Sequence, residues 1–145
     1  METGAILGFV MGGFWNSCCE LQARYTDSEL IIGDDVLVNN GLVIVAVTRV
    51  EIQENTLIGR NVQITDSDAH NIDPSKRRSC LGESKPVIIG RNVWIGNNVM
   101  ILKGACIGDN SIIGAGSVVT GKKFPSNVII AGNPAKVIKL IEPGQ

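Results

Sequence analysis

The sequence predicts an all-β protein, a parallel β-helix wound as a triangular prism. Three observations point there. The chain of 145 residues holds 19 Ile and 15 Val, and β-branched side chains favour strands. Its 17 glycines, about 12% against a usual figure of about 7%, speak against long helices. Above all, an aliphatic residue recurs every six positions, at Ile32, Val38 and Ile44, then after a two-residue slip at Ile52, Ile58 and Ile64, and again at Ile89, Ile95, Ile101, Ile107, Ile113 and Val119. Self-similarity at a fixed period marks a repeat architecture.

Aligned on that residue, the other columns have physical meaning. The next position is glycine at Gly33, Gly59, Gly90, Gly96, Gly108 and Gly114. Three residues on, Asp35, Gly41, Asn55, Asn61, Asn92, Asn98, Gly104, Asn110 and Gly116 fill a column that Val47 breaks beside the slip. Asn, Asp and Gly tolerate positive φ, so each repeat carries a sharp turn there. The fourth position is small or β-branched (Val36, Thr48, Thr56, Val62, Val93, Val99, Ala105, Ser111, Ser117). By the period of two along a strand it shares the inward face with the anchor two residues later, and the residue between them points outward. A short strand and a corner every six residues give three strands per coil. This spacing does not set the hand of the coil.

Residues 1–29 precede the coil and are read as an N-terminal cap segment. Their apolar run, 4–15, is too short for a bilayer, which takes about 20 residues, and Glu2 stands where a signal peptide would be basic. Ile6, Phe9, Val10 and Phe14 recur at helical spacing. A short helix covering the core is one reading and an interfacial membrane anchor another, though no Lys or Arg flanks the run. The coil domain is expected over 30–141. Val87 and Ile89 already have inward spacing, so the interruption after Ile64 is a loop over 66–86, and long loops on rigid coils usually serve function. After Val119 comes one irregular turn. Pro134 is placed to open a short C-terminal helix at its first position, with Ile138 and Ile141 as its apolar stripe, and 142–145 form a tail.

Composition excludes several classes. A net charge of −1 lacks the basic excess of a nucleic-acid binder, and the aliphatic content excludes disorder. Cys18, Cys19, Cys80 and Cys106 show no CxxC spacing and the chain has one histidine, so no metal site is expected. Free thiols point to a reducing cytoplasm, and membrane association is not expected.

The one histidine, His70, lies in the loop segment Asp66-Ser67-Asp68-Ala69-His70. An imidazole can take a proton from a hydroxyl or amine at neutral pH, and a carboxylate such as Asp68 or a backbone carbonyl can hold its tautomer. A solvated bystander is the alternative. The tip Lys76-Arg77-Arg78 could attract an anionic acceptor or simply be wet loop. No nucleophile–base pair is apparent, and Cys80 and Cys106 do not have the setting of a nucleophile.

The segment ITDSDAHNID, residues 64–73, resembles the D-x-x-H or D-x-D-x-H loop of saccharide O-acetyltransferases, including the maltose/galactoside and colanic-acid types. These belong to the hexapeptide-repeat (isoleucine patch) acyltransferase superfamily. The runs Lys85-Pro86-Val87-Ile88-Ile89-Gly90 with Val93-Trp94-Ile95-Gly96, Ile113-Gly114-Ala115-Gly116-Ser117-Val118-Val119-Thr120, and Ala131-Gly132-Asn133-Pro134-Ala135-Lys136 match as well. The resemblance covers about residues 30–141. It implies a left-handed prism, His70 as general base, acetyl-CoA as co-substrate, and a groove between neighbouring prisms. It places Asn39 near the thioester, Trp94 and Asn97 beside the pantetheine route, Ala115 and Thr120 at backbone contacts along that arm, and Lys136 and Lys139 near the CoA phosphates. From the residues alone, Asn39 could equally be a corner residue, Ala115 and Thr120 repeat geometry, the two lysines a solvated face and Trp94 an interface aromatic.

The outward column, Leu37, Val43, Leu57, Trp94, Met100, Cys106, Ile112 and Val118, would leave a monomer with apolar stripes, which normally mark interfaces. The resemblance implies three-fold packing along the prism edges, hence a homotrimer. The expected function is acetyl transfer from acetyl-CoA to a saccharide hydroxyl. A nucleotide-sugar N-acetyltransferase and an inactive β-helix scaffold are the alternatives. Carbonic anhydrases of the same prism need three histidines. Serine acetyltransferases and sugar-nucleotide pyrophosphorylases carry modules that 29 residues ahead of the coil would not hold, and the helical N-terminal module of the maltose-type enzymes is not expected either.

Overall fold

A computed structural model describes Gly4 and residues 18–144. Apart from Gly4, the apolar run 4–15 lies outside the described residues, and with it the helix and anchor readings. Sixteen strands form among the described residues, and they close three faces. The first face holds β1 (Glu20–Ala23), β4 (Val43–Ala46), β7 (Gln63–Thr65), β10 (Met100–Ile101) and β13 (Val118–Val119). The second holds β2 (Glu29–Ile32), β5 (Arg49–Ile52), β8 (Val87–Ile89), β11 (Cys106–Ile107) and β14 (Lys123–Phe124). The third holds β3 (Leu37–Val38), β6 (Leu57–Ile58), β9 (Trp94–Ile95), β12 (Ile112–Ile113), β15 (Val128–Gly132) and β16 (Ala135–Leu140). From β1 to β12 each strand pairs in parallel with the strand three places on, as a three-sided coil demands, and among the strand pairs only β15 and β16 are antiparallel. The coil begins at Glu20, ten residues ahead of the expected boundary, because β1 pairs with β4.

The columns fall where the period puts them. The anchors from Val38 to Val119 are buried, as are Val36, Thr56, Val62, Val93, Val99, Ala105, Ser111 and Ser117 between them. The nine Asn, Asp and Gly residues of the turn column all take positive φ. On the second-to-third edge the turn asparagines also stack, Asn92 Nδ2 donating to Asn110 Oδ1 at 2.9 Å and Asn110 Nδ2 to Asn127 Oδ1 at 3.1 Å. Such ladders tie one coil to the next.

Val47 does not take positive φ, and the corner after β4 is closed differently. The wholly buried Asp66 turns its carboxylate into that corner and accepts the backbone N–H groups of Val47 (2.8 Å), Thr48 (2.7 Å) and Arg49 (2.8 Å), with the Thr48 hydroxyl at 2.8 Å. Four donors on one carboxylate replace the missing turn residue. Asp66 is also the first residue of the loop, so the same group ties the loop's origin to the coil below.

The expected C-terminal helix does not form. Gly132 at φ +106 reverses the chain, and the segment after Pro134 returns as β16 along β15, with Gly132 opposite Ala135 and Val128 opposite Leu140. Two effects override the helix signal. The alternating, β-branched AKVIKL suits a strand, and β15 would otherwise leave an open edge of unpaired backbone groups. Ile138 sits at the irregularity in this pairing and is 62% exposed rather than packed. Among the described residues no helix is long and apolar enough to cross a membrane.

Asp66→Ala should lose about 3 kcal/mol of stability, since it leaves three backbone donors unpaired at about 1–3 kcal/mol each. Denaturant titration at fixed protein concentration measures this. The exposed Asp27→Ala should stay within about 0.5 kcal/mol of the parent.

Candidate functional site

Three edges join the faces, and the candidate residues divide between two of them. On the third-to-first edge, after β3, β6, β9 and β12, the registers stack Asn39, Gly59, Gly96, Gly114 and Ala131 in one column. Asn97 and Ala115 are their neighbours. A Cβ on Gly59 would lie 2.8 Å from the backbone nitrogen of Asn97, and one on Gly96 2.7 Å from that of Ala115. The coils therefore approach closely at both glycines, and apart from the Asn97 carboxamide, whose Oδ1 would lie 2.5 Å from a Cβ on Gly59, the strip there is smooth.

Asn39, Trp94 and Asn97 line one groove of about 260 Å³ at this edge, with Leu37, Leu57 and Gly59. The outward ladder Leu37–Leu57–Trp94 forms its apolar wall, and these three side chains are exposed at 42%, 44% and 55%. The Asn39 Oδ1 accepts the N–H of Asn40 at 2.8 Å, and its Nδ2 has no hydrogen-bond partner among the described residues. The Asn97 Oδ1 accepts the N–H of Arg60 at 2.8 Å, so it closes the corner one coil away. Ala115 is exposed on the same edge, and its neighbour Gly116 donates to the Asn97 carbonyl at 2.9 Å. The row continues to β16, where Lys136 lies opposite Ala131 and Lys139 opposite Ile129. Both lysines are exposed and form no ion pair among the described residues. From β3 to β16 is five strand spacings, about 24 Å.

Thr120 is not on this edge. It follows β13 at the first-to-second edge and lines a cavity of about 350 Å³ with Ser67, Asp68, Lys85, Lys103 and Gly121. That is the edge from which the loop 66–86 leaves. The loop's legs are closed at the base by the antiparallel bridge Ser67–Ser84, by Asp68 N–H to the Glu83 carbonyl (3.0 Å) and by Lys85 N–H to the Asp66 carbonyl (2.8 Å).

His70 stands above this base with an exposed ring that has no hydrogen-bond partner among the described residues. Its backbone N–H donates to the Asp68 carbonyl at 2.6 Å. The Asp68 carboxylate does not reach the ring; it accepts from Lys103 Nζ at 2.5 Å. Lys103 also donates to Glu83 at 2.6 Å. The Lys103 ammonium, and after it Lys85, hold the Glu83 carboxyl well below the usual range, at about 2, while Asp68 and then Glu83 push Lys103 up. Lys103 was not legible as a functional residue, since its partners lie 35 and 20 positions away. At the loop tip, Lys76 lies 3.9 Å from Asp73, and Arg77 donates to the Ile72 carbonyl at 3.0 Å.

Comparison with known proteins agrees with this geometry. Residues 86–121 match the family described as bacterial transferase hexapeptide (six repeats). The galactoside O-acetyltransferase of Escherichia coli K12 is 44% identical over 114 residues, covering 79% of this chain and 55% of that protein. The crystal structure of a maltose O-acetyltransferase from Clostridium difficile 630 superposes with a TM-score of 0.75 at 40% identity, over 86% of this chain and 64% of that one. A hexapeptide-repeat acetyltransferase from Vibrio cholerae, complexed with acetyl-CoA, also gives a TM-score of 0.75, at 28% identity over 86% of this chain and 65% of that one. The chain thus spans only about half to two thirds of the proteins it matches. Repeat, coil and similarity agree: the chain carries the bacterial transferase hexapeptide repeat over residues 86–121 and is similar in sequence and fold to the hexapeptide-repeat acetyltransferases.

Proposed function

We propose that the chain transfers an acetyl group from acetyl-CoA to a saccharide hydroxyl, at a site shared between two copies in a homotrimer. One observation carries this reading: Asn39, Trp94 and Asn97 gather on one prism edge, while His70 leaves from the next edge, with the first face between them. A single chain holds the two halves apart. Three-fold packing of edges lets the loop of one copy meet the groove of its neighbour, and the exposed ladder Leu37–Leu57–Trp94 supplies apolar surface for that contact.

Acetyl-CoA fits the long edge in one direction. The thioester lies by Asn39, the pantetheine arm follows Trp94, Asn97 and Ala115 over the smooth strip, and the phosphates meet Lys136 and Lys139. Thr120 lies by the loop base and contributes there rather than along this row. His70 takes the proton of the acceptor hydroxyl as its oxygen attacks the thioester carbonyl. The tetrahedral oxyanion receives a hydrogen bond, and on this reading the Asn39 Nδ2 donates it. The C–S bond then breaks and the imidazolium returns the proton to the departing CoA thiolate. The Asp68 carboxylate does not hold the ring directly, because Lys103 occupies it. The similarity to galactoside and maltose O-acetyltransferases supports a neutral sugar as acceptor, and four free cysteines support action in the cytoplasm.

The reading is tested by thiol release from acetyl-CoA across a panel of galactosides, maltose, glucose and amino sugars. Neutral sugars should be turned over, preference for amino sugars would favour N-acetylation, and absence of CoA-dependent thermal stabilisation would favour a scaffold. His70→Ala should lower kcat by about 10²–10⁴ with the trimer intact. Lys136→Ala should raise the KM for acetyl-CoA with little change in kcat, the signature of a contact made equally in ground and transition states. Light scattering should give a mass three times 15.4 kDa.

A further inference from the structure

Lys103 sits at the corner after β10, and its ammonium joins the two legs of the loop. Asp68 at 2.5 Å is on the outgoing leg and Glu83 at 2.6 Å on the return. Lys85 adds a second cation to Glu83 at 2.9 Å. The Lys103 side chain is only 22% exposed, so its charge is held between the legs rather than free in solvent. Charge-assisted bonds of this kind are the stronger hydrogen bonds.

The clamp is coupled to His70 through the backbone. The His70 N–H donates to the carbonyl of Asp68, the clamped residue itself, at 2.6 Å. The intervening Ala69 takes φ +61, a strained conformation for a residue with a side chain. Across the loop, Gly82 packs so closely that a Cβ there would lie 2.4 Å from the His70 carbonyl oxygen and 2.7 Å from the Asp68 Cβ. His70 is therefore fixed from both legs, and Lys103 holds those legs together on the prism.

We propose that Lys103 is a positioning residue for His70, setting the place of the imidazole at the inter-copy site by clamping Asp68 and Glu83 to the coil. This rests on His70 being the general base. Misplacing a reacting group by about 1 Å can cost about 100-fold in rate.

The test uses the full chain, acetyl-CoA and the panel sugar with the highest rate, or water as acceptor if no sugar exceeds it. Lys103→Met removes the charge at similar length and should lower kcat about 10- to 100-fold, with the KM for acetyl-CoA and the trimer unchanged. Lys103→Arg keeps a cation able to bridge two carboxylates and should recover most of the loss. Gly82→Ala, which perturbs the same backbone from the other leg, should lower kcat in the same way. In a double-mutant cycle, Lys103→Met should add nothing to His70→Ala. The chain has one histidine, so its Cε1 proton gives one NMR signal, which should shift or broaden in Lys103→Met and return in Lys103→Arg. Breaking the clamp should also raise the Glu83 carboxyl from about 2 toward the ordinary value of about 4.3. Stability from that pair is present above the ordinary value and is lost as pH falls toward 2. If His70→Ala is inactive while Lys103→Met keeps wild-type kcat and an unchanged imidazole signal, the clamp is refuted and the base stands. If His70→Ala keeps its turnover, the base is refuted and the catalytic role of Lys103 goes with it.

Discussion

A turn at positive φ in every six residues is the constraint on which this structure depends. It bends the chain after each short strand, so that each coil has three strands and residues 18 apart stack, as Asn92 and Asn110 do. Once that spacing holds, the edge on which a residue sits follows from its position in the repeat. The anchors fill the interior, the residues between them form outward ladders, and the corners become three continuous edges. A site on such a prism is assembled along an edge or between the edges of neighbouring copies.

The repeat region was legible because its signals are local and redundant. Nine turn residues, the anchors and the small inward positions all obey one period, and each has a steric reason. The exceptions needed information that spacing does not carry. Val47 broke the column because Asp66, 19 positions away, supplies the corner with a carboxylate. An Asp at the start of a polar loop has many local uses, and nothing near it marks this one. Pro134 read as a helix start because the open edge of β15, which draws the segment into a strand, exists only in the folded coil.

The candidate site divides in the same way. Asn39, Asn97 and Ala115 were placed by resemblance, and their gathering on one edge follows from the register of the coils. The wider arrangement has an electrostatic order, with exposed Lys136 and Lys139 at one end of the edge and the uncharged Asn39 at the other. That order suits a substrate with phosphates at one end and a thioester at the other. The pairing of Asp68 with Lys103 instead of His70 was invisible in DSDAH, where two carboxylates precede the histidine in sequence. The ammonium that takes this carboxylate is brought in by a different coil, 35 positions away.

The central claim is that His70 from one copy meets Asn39 from the next, and mixed assembly tests it most directly. Two inactive variants, His70→Ala and Asn39→Ala, are unfolded together, refolded as a mixture and assayed for thiol release from acetyl-CoA. If each site is shared, random assembly restores both groups at about one quarter of the sites, and activity should return to about that fraction of the parent. If both groups come from one chain, every site keeps a defect. A mixture no more active than the separate variants would then contradict the account.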